Sequence, residues 1–226
     1  MIHTDREFEA ELSSLRDRIL RMSGRVEEMI ALAVKAFAAR DEDLARRTIQ
    51  LDENVNNDEV EIDEACLAIL ARRQPLASDL RFIALALKMV TDLERIGDLA
   101  VNISERAIAM SGEAPLPPWS GAEVMADSVQ RMLREAMDAL VARDAARARL
   151  VIERDEDVDE MYHRALRELF QHMAATPALL QSGLHAQAVA KHLERIGDHA
   201  TNIAEEVVYL VEATDIRHAG KRSAKP

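Results

Sequence analysis

Cysteine, proline, glycine and aromatic residues are all scarce in this sequence. Its 226 residues include one cysteine, six prolines, seven glycines and only 3% aromatic residues. The single cysteine, Cys66, excludes an intrachain disulfide framework and a metal site built from several thiolates. Because Cys66 lies in the apolar stretch ACLAIL, we expect it to be a small buried core residue.

The residues that are abundant are those that favour helices. Hydrophobic residues make up 48% of the chain and charged residues 31%, with Ala, Leu, Glu, Arg and Met prominent among them. These side chains lose little conformational freedom in a helix. A strand-rich chain would carry more β-branched and aromatic residues, with turn residues at short intervals. The composition therefore predicts an all-α protein with a packed core beneath a charged surface.

The sequence also lacks long apolar runs and an excess of positive charge. No run approaches the roughly 20 apolar residues that cross a bilayer, and the first residues, MIHTDREFEAE, do not resemble a secretory signal. We therefore expect a cytoplasmic protein. The net charge of −12 argues against a nucleic-acid partner, because phosphate backbones bind basic surfaces. The short basic tail, 216–226, is expected to be disordered.

Comparison of the sequence with itself reveals a tandem repeat. Residues 39–55, ARDEDLARRTIQLDENV, match residues 142–158, ARDAARARLVIERDEDV, at an offset of 103 positions. Residues 93–103, LERIGDLAVNI, match residues 193–203, LERIGDHATNI, at an offset of 100. The second copy has therefore lost three residues between the two matches. Because insertions and deletions collect in loops, this difference predicts a helix–helix turn between the two matches.

Helical periodicity between breaker residues predicts three helices in each copy. The third helix of the first copy is expected to be capped by Ser78 or Asp79. The stretch SGEAPLPPWSG is rich in breakers and predicts a linker between the copies. The predicted helices cover about residues 6–40, 42–73, 79–110, 122–143, 145–174 and 178–213.

Short turns between amphipathic helices favour antiparallel packing. The sequence thus predicts two tandem antiparallel three-helix bundles. The first bundle would occupy residues 1–112, a linker residues 113–121, and the second bundle residues 122–215.

The third predicted helix of each copy carries a polar stripe. On a helical wheel, Asp198 and Asn202 lie within about 80° of Glu194, whereas Leu193 and Ile196 face the opposite side. One interpretation is a solvated face of an amphipathic helix. However, the like charges one turn apart and the glycine between them both disfavour the helix, and both recur in the first copy. The full stripe is Glu194, Asp198, Asn202 and Glu205, and the matching stripe in the first copy is Glu94, Asp98, Asn102 and Glu105.

Carboxylates one turn apart are suited to binding a cation, and the second helix of each copy offers further oxygen ligands. Without thiolates, such a site favours iron, manganese, magnesium or calcium, with zinc also compatible. Asn56 stands in the first copy where Asp159 stands in the second, so the first site would bind a cation more weakly. The second-helix candidates are Asp52, Glu53, Asp155, Glu156 and Asp159.

The histidines give a weaker indication of ligation. His192 and His199 flank the apolar side of the third helix of the second copy, which favours packing or surface roles over metal binding. The spacing of Glu160 and His163 matches the ExxH motif of di-iron bundles, but that architecture requires the motif on two helices. The chain contains it once, which argues against a di-iron bundle.

The motifs RRQPLASDLR (72–81), LERIGDLAVNI and LERIGDHATNI, set in two helical copies, resemble those of the PhoU family. That resemblance implies paired three-helix bundles, a homodimer and multinuclear iron or zinc clusters on the bundle surface. It also implies that the protein represses the phosphate-starvation response, and that its partners are the ATPase subunit of a phosphate ABC transporter and a sensor histidine kinase. The family's motif positions correspond here to Asp52, Glu94, Asp98, Asn102, Asp155, Asp159, Glu194, Asp198 and Asn202.

Three functional hypotheses follow. The first is a non-enzymatic regulatory adaptor of phosphate homeostasis, supported by the repeat and by the lack of a nucleophile–base motif. The second is a carboxylate-bridged metal-binding protein with a catalytic or storage role. The third is a helical scaffold unrelated to phosphate. The acidic stripe would serve as a metal site or as a partner-docking surface.

Overall fold

Helices account for all of the regular secondary structure in the computed structural model, which describes residues 2–117, 119 and 121–216. The all-α prediction is therefore confirmed. The predicted basic tail lies outside the described residues except for Ile216. The helices are α1 (Ile2–Ala39), α2 (Glu42–Arg73), α3 (Ala77–Ala109), α4 (Gly121–Ala142), α5 (Ala145–Glu153), α6 (Asp155–Ala175) and α7 (Leu180–Glu212), with a 3-10 turn at Pro177–Leu179 before α7.

The shared Ala-Arg-Asp sequence at 39–41 and 142–144 forms the same tight turn in both copies. Arg40 and Arg143 end the preceding helices with φ values of 55° and 51°. The aspartate that follows each arginine then caps the next helix. Asp41 Oδ1 accepts a hydrogen bond from the Leu44 amide at 2.9 Å, and Asp144 Oδ1 accepts one at 3.0 Å from the amide three residues on. The repeated Arg-Asp pair is thus a helix stop followed by an N-cap.

The predicted single helix at 145–174 is wrong, because the chain breaks at Arg154 into α5 and α6. Three acidic residues, 155–157, then occupy the first turn of α6. Carboxylates are stabilised at that end of a helix by its partial positive charge. Arg154 itself forms an ion pair with Glu135 of α4. The equivalent segment of the first copy lies within the continuous helix α2.

The predicted cap of α3 by Ser78 or Asp79 is also wrong. The helix begins at Ala77, and Leu76, which precedes it, makes no side-chain cap. The turn is closed through the backbone instead, since the Asp79 amide donates a hydrogen bond to the Leu76 carbonyl at 3.2 Å. Gln74 ends α2 in the left-handed conformation, with φ of 48°. A backbone closure of this kind leaves no capping signature in the sequence.

The two bundles share one hydrophobic core rather than lying apart. Helix α3 packs against α7 of the second bundle as extensively as it packs against α2 of its own, and α1 also contacts α4. Buried residues of both copies, including Ile96 and Ile196, belong to the same cluster. Cys66 is completely buried, as predicted. Across residues 2–117, 119 and 121–216, no helix has the length and apolar character needed to cross a membrane.

The described part of the linker packs on the C-terminal end of α1. The Trp119 ring meets Phe37 edge to face, with centroids 6.5 Å apart. The Arg40 guanidinium donates hydrogen bonds to the Met110 carbonyl and, at 2.6 Å, to the Glu113 carbonyl. The linker is therefore tied to the first bundle by aromatic packing and by hydrogen bonds from the Arg40 side chain to backbone carbonyls.

Candidate functional site

The acidic residues of each LERIGD motif lie where the third helix of the copy meets the second. The mid-helix glycines make this meeting close. A Cβ atom on Gly97 would lie 3.3 Å from Val55 Cγ1 and 3.4 Å from Asp52 Oδ1. On Gly197 it would lie 3.3 Å from Val158 Cγ1 and 3.8 Å from an oxygen of Asp155. Glycine thus brings a second-helix carboxylate beside the third-helix acids, which its helix propensity alone does not predict.

In the first copy, the cluster consists of acids from α2 and α3 with two polar neighbours. Asn56 Nδ2 donates a hydrogen bond to Asp52 Oδ2 at 2.9 Å. Arg95 lies between the two predicted α3 carboxylate ligands, 3.5 Å from Glu94 and 3.3 Å from Asp98. Asn56, which replaces an acid of the second copy, therefore lowers the number of acids in this cluster by one and stabilises the Asp52 carboxylate through its hydrogen bond.

Electrostatics in the first copy disfavour full ionisation. Burial raises the pKa of Asp52, and the charge of Asp98 adds to that effect. Burial and the same aspartate also raise the pKa of Glu94. Glu59 on α2 belongs to this region as well, because burial and then Asp63 raise its pKa. Glu59 was not among the predicted ligands, although it lies seven residues after Asp52 and thus on the same helix side.

The second copy has the same arrangement with different neighbours. Thr201 Oγ1 donates a hydrogen bond to Asp155 Oδ1 at 3.1 Å. Lys191 Nζ lies 2.5 Å from Glu194 Oε1 and 5.3 Å from the centre of the Tyr162 ring. Lys191 lies one helical turn before Glu194, so the pair could have been recognised from the sequence. Thr201 could not, because its contact joins residues 46 positions apart.

The carboxylates of the second copy repel one another at neutral pH. Burial, then Glu194 and Asp155, raise the pKa of Asp198 to about 6. Burial also raises the pKa of Asp155, and Asp159 contributes to the increase. The cluster therefore holds more negative charge than the fold favours, a condition that a bound cation or a cationic partner would relieve.

This repulsion predicts a pH-dependent stability. The folded-state pKa of Asp198, about 6, lies above its ordinary value of 3.8, so its destabilising effect is absent well below pH 4, develops between about pH 4 and pH 6, and is complete above that. We expect Asp198→Asn to stabilise the protein by up to about 1 kcal/mol at pH 7.5, after allowance for solvent screening. Near pH 3 the variant and the wild type should be equally stable.

Urea unfolding at the two pH values measures this difference. The matched control is Glu160→Gln, which removes an exposed acid of α6 beyond the first turn of the helix. An equal effect of both substitutions at pH 7.5 would show that net charge, rather than the cluster, is responsible.

The donor set fits a hard or borderline cation in its chemistry. Asp52 Oδ1 and Glu194 Oε2 are buried oxygens without a hydrogen-bond partner, and an oxygen in that state gains from a cation. Within the described part of the chain, however, no three His, Cys, Asp or Glu side chains already form a group that could hold a metal ion. Binding would thus require the carboxylate arms to converge, and the metal site stays a prediction.

The predicted ligand Asn202 contacts the other bundle. Its Nδ2 donates to Asp92 Oδ1 of α3 at 3.1 Å, and His199 Nδ1 lies 2.7 Å from the same oxygen. A cavity of about 430 Å³ opens beside them, lined also by Lys88 and Glu206. These contacts join α3 to α7, and we call this region the seam. The first-copy counterpart of Asn202 is Asn102, which is half-buried on α3.

The other half of the seam has the opposite charge. His192 takes the place equivalent to Asp92, and burial, then Arg106 and Arg195, lower its pKa. Since Lys88 lies beside Glu206 at one end and Arg106 faces His192 at the other, α3 and α7 cross in antiparallel directions. His192 and His199 therefore both lie at the seam.

Comparisons with known proteins give a consistent result. The PhoU domain model matches residues 19–107 and again residues 123–207. A phosphate-specific transport system accessory protein PhoU homolog from Pseudomonas aeruginosa is 44% identical over 219 residues, covering 96% of this chain and 90% of that protein. The accessory protein PhoU of Escherichia coli is 38% identical over 218 residues, with the same coverages.

Solved structures agree. The crystal structure of PhoU from Pseudomonas aeruginosa superposes with a TM-score of 0.86 at 44% identity, covering 92% of this chain and 100% of that one. The phosphate transport system regulatory protein PhoU from Streptococcus pneumoniae gives the same TM-score at 27% identity, covering 92% of this chain and 98% of that one. These superpositions confirm the predicted pair of three-helix bundles.

Proposed function

This chain belongs to the PhoU family, and from that membership we propose that it is a regulatory adaptor of phosphate homeostasis. Its relatives are named accessory or regulatory proteins of phosphate transport systems. In this proposal the protein represses the phosphate-starvation response and modulates phosphate uptake. It does so by binding, not by catalysis.

The proposed partners are the ATPase subunit of a phosphate ABC transporter and a sensor histidine kinase. The proposed working form is a cytoplasmic homodimer that approaches the membrane only through those partners. The net charge of −12 is consistent with protein partners and unfavourable for nucleic acid.

The observation that carries the proposal is the shared core. Each copy presents its own acidic face, at α2–α3 or at α6–α7, and the third helices of both copies pack directly against each other. A partner that shifts one third helix acts on the seam, and therefore on the other copy. Packed helices with discrete contacts are the kind of element through which two binding sites become coupled.

We further propose that the acidic clusters hold iron or zinc, with manganese, magnesium and calcium as alternatives. A bound cation would neutralise carboxylates whose pKa values are raised by burial and mutual repulsion. The first site would be the weaker, because Asn56 bonds to Asp52 in place of a fourth acid. The proposed ligands are Asp52, Glu94, Asp98 and Asn102 in one cluster and Asp155, Asp159, Glu194, Asp198 and Asn202 in the other.

A second candidate function is a carboxylate-bridged metal protein with a catalytic or storage role. The buried, unpartnered oxygens of Asp52 and Glu194 favour it. Oxidase or phosphatase turnover that depends on Glu194 would establish this role in place of the adaptor.

Deleting the gene tests the adaptor proposal. We expect phosphate-starvation genes to be expressed in phosphate-rich medium, where the intact strain keeps them silent, and a wild-type copy to restore silence. Transcript levels of the starvation genes give the readout. Unchanged expression in the deletion strain would contradict the proposal.

A further inference from the structure

Large apolar side chains are exposed at two equivalent positions of both copies. Leu67 on α2 is 61% exposed, and Phe170, 103 positions later on α6, is 55% exposed. Leu80 on α3 is 44% exposed, and Leu180, 100 positions later on α7, is 50% exposed. These offsets are those of the sequence repeat. An exposed apolar residue is unremarkable when single, but its recurrence at matched positions points to a shared use.

In the first copy these residues lie at one end of the α2–α3 face. Leu80 precedes Glu94 by fourteen residues and lies on the same side of α3 as that acid. Because α2 and α3 are antiparallel about the turn at 74–76, Leu67 and Leu80 lie toward the turn. The acidic cluster lies toward the opposite end.

Acidic side chains lie at the end of the α2–α3 face away from the turn. Glu59, Asp63 and Asp98 lie close enough for their charges to act on one another. Arg95 contacts Glu94 and Asp98. Glu59 and Asp63 are not among the proposed metal ligands, so this end stays acidic whether or not the cluster holds a cation. Along α2, Asp63 lies four residues and Glu59 eight residues before Leu67, which corresponds to about 6 and 12 Å along the axis. The α2–α3 face thus has an apolar end at Leu67 and Leu80 and an acidic end that begins about one helical turn away and extends to about two.

We propose that the α2–α3 face docks an amphipathic helical segment of a protein partner. That segment would carry large apolar side chains and, about 12 Å along its axis, a cluster of Lys or Arg. The α6–α7 face repeats the pattern, with Phe170, Leu180 and Leu184 exposed beyond its own acids. The proposal deepens the adaptor function, on which it rests for the partner's identity, by giving the chain two equivalent docking faces. A lipid surface fits poorly, because anionic headgroups repel the acidic end.

A synthetic peptide tests the face without requiring the natural partner. The probe is a helical peptide with leucines at i, i+3 and i+7 and lysines two turns further on, matched to the spacing described above. Wild type, Leu67→Arg and Leu80→Arg are compared by calorimetric titration. The control is Leu150→Arg, because Leu150 is 53% exposed on α5 and its counterpart in the first copy is Arg47.

We expect Leu67→Arg and Leu80→Arg each to weaken peptide binding by roughly tenfold or more. Leu150→Arg should bind as the wild type does, and wild-type affinity should fall as salt is raised. Because all three positions are exposed, the variants should melt with the wild type. No binding by the wild type, or equal binding by all four proteins, would overturn the proposal. So would a stronger Leu67-dependent interaction with anionic lipid vesicles.

The same four proteins are then titrated with the purified transporter ATPase and with the cytoplasmic part of the sensor kinase. Binding of either partner that Leu67→Arg weakens supports the docking face as part of the adaptor. If the peptide result holds but the wild type binds neither partner, the docking face stands and the adaptor function fails. If a partner binds, but neither Leu67→Arg nor Leu80→Arg changes the affinity for the peptide or for that partner, the docking face is contradicted and the adaptor function is not.

Discussion

Replacing Gly197 with leucine is expected to lower the free energy of unfolding by about 1–3 kcal/mol. Its Cβ alone would lie 3.3 Å from Val158 Cγ1 and 3.6 Å from Val129 Cγ1. Both valines are completely or almost completely buried, so they cannot move aside without disturbing the core. The larger side chain would push α6 away from α7 and separate Asp155 from the third-helix acids. Gly97→Leu should act in the same way through Val55.

A third glycine provides the control. Gly24 is exposed on α1, with no heavy atom within 4 Å of the position that a Cβ would take. Gly24→Ala should therefore stabilise the protein by about 0.5–1 kcal/mol, since alanine favours a helix more than glycine does. Urea unfolding of the three variants measures these opposite signs. Wild-type stability in Gly197→Leu would show that the helices are not closely packed there.

Removing two carboxylates should largely abolish metal binding by the second cluster. We expect Glu194→Gln combined with Asp198→Asn to weaken its affinity for zinc or ferrous ion by about a hundredfold or more, because these residues supply the cluster's two α7 carboxylates. Metal should raise the thermal midpoint of the wild type at pH 7.5, since only the folded state assembles the ligands. Metal should raise the thermal midpoint of the double variant by less, because only the first cluster would still bind it.

Elemental analysis after dialysis supplies the second readout, as metal bound per chain. The charge-matched control is Asp157→Asn combined with Glu160→Gln, two exposed acids of α6, and it should bind as the wild type does. Affinity should also fall between pH 7.5 and pH 5, because protons compete for Asp198, whose pKa is about 6. Identical stoichiometry and affinity in all three proteins would remove these residues from the ligand set.

Local sequence signals predicted most of the helical architecture. The repeat offset located the turn between the second and third helices, and the Arg-Asp pairs marked the helix boundaries at Arg40 and Arg143. The burial of Cys66 followed from its apolar neighbours. Each of these features depends on residues a few positions apart, where periodicity and turn chemistry act directly.

The failures have a common physical origin in contacts between distant segments. The break at Arg154 accompanies an ion pair with Glu135 of another helix. The interaction of Asn202 with Asp92 joins residues 110 positions apart. A helical wheel places Asn202 on the acidic stripe, and no pattern within α7 reveals that a second bundle lies beside it. The role of Gly97 in close helix packing likewise depends on Val55, which lies opposite it on α2.

The seam between α3 and α7 has the geometry of an isologous dimer contact. Equivalent helices of the two copies meet in antiparallel directions, as they do when two identical subunits associate about a twofold axis. Duplication and fusion of a gene encoding one self-associating bundle produces this arrangement directly. Once the halves are covalently joined, each can change its charges without the other, as Asp92 opposite His199 and His192 near Arg106 illustrate. The seam is therefore a pseudo-twofold contact whose two halves carry different charges.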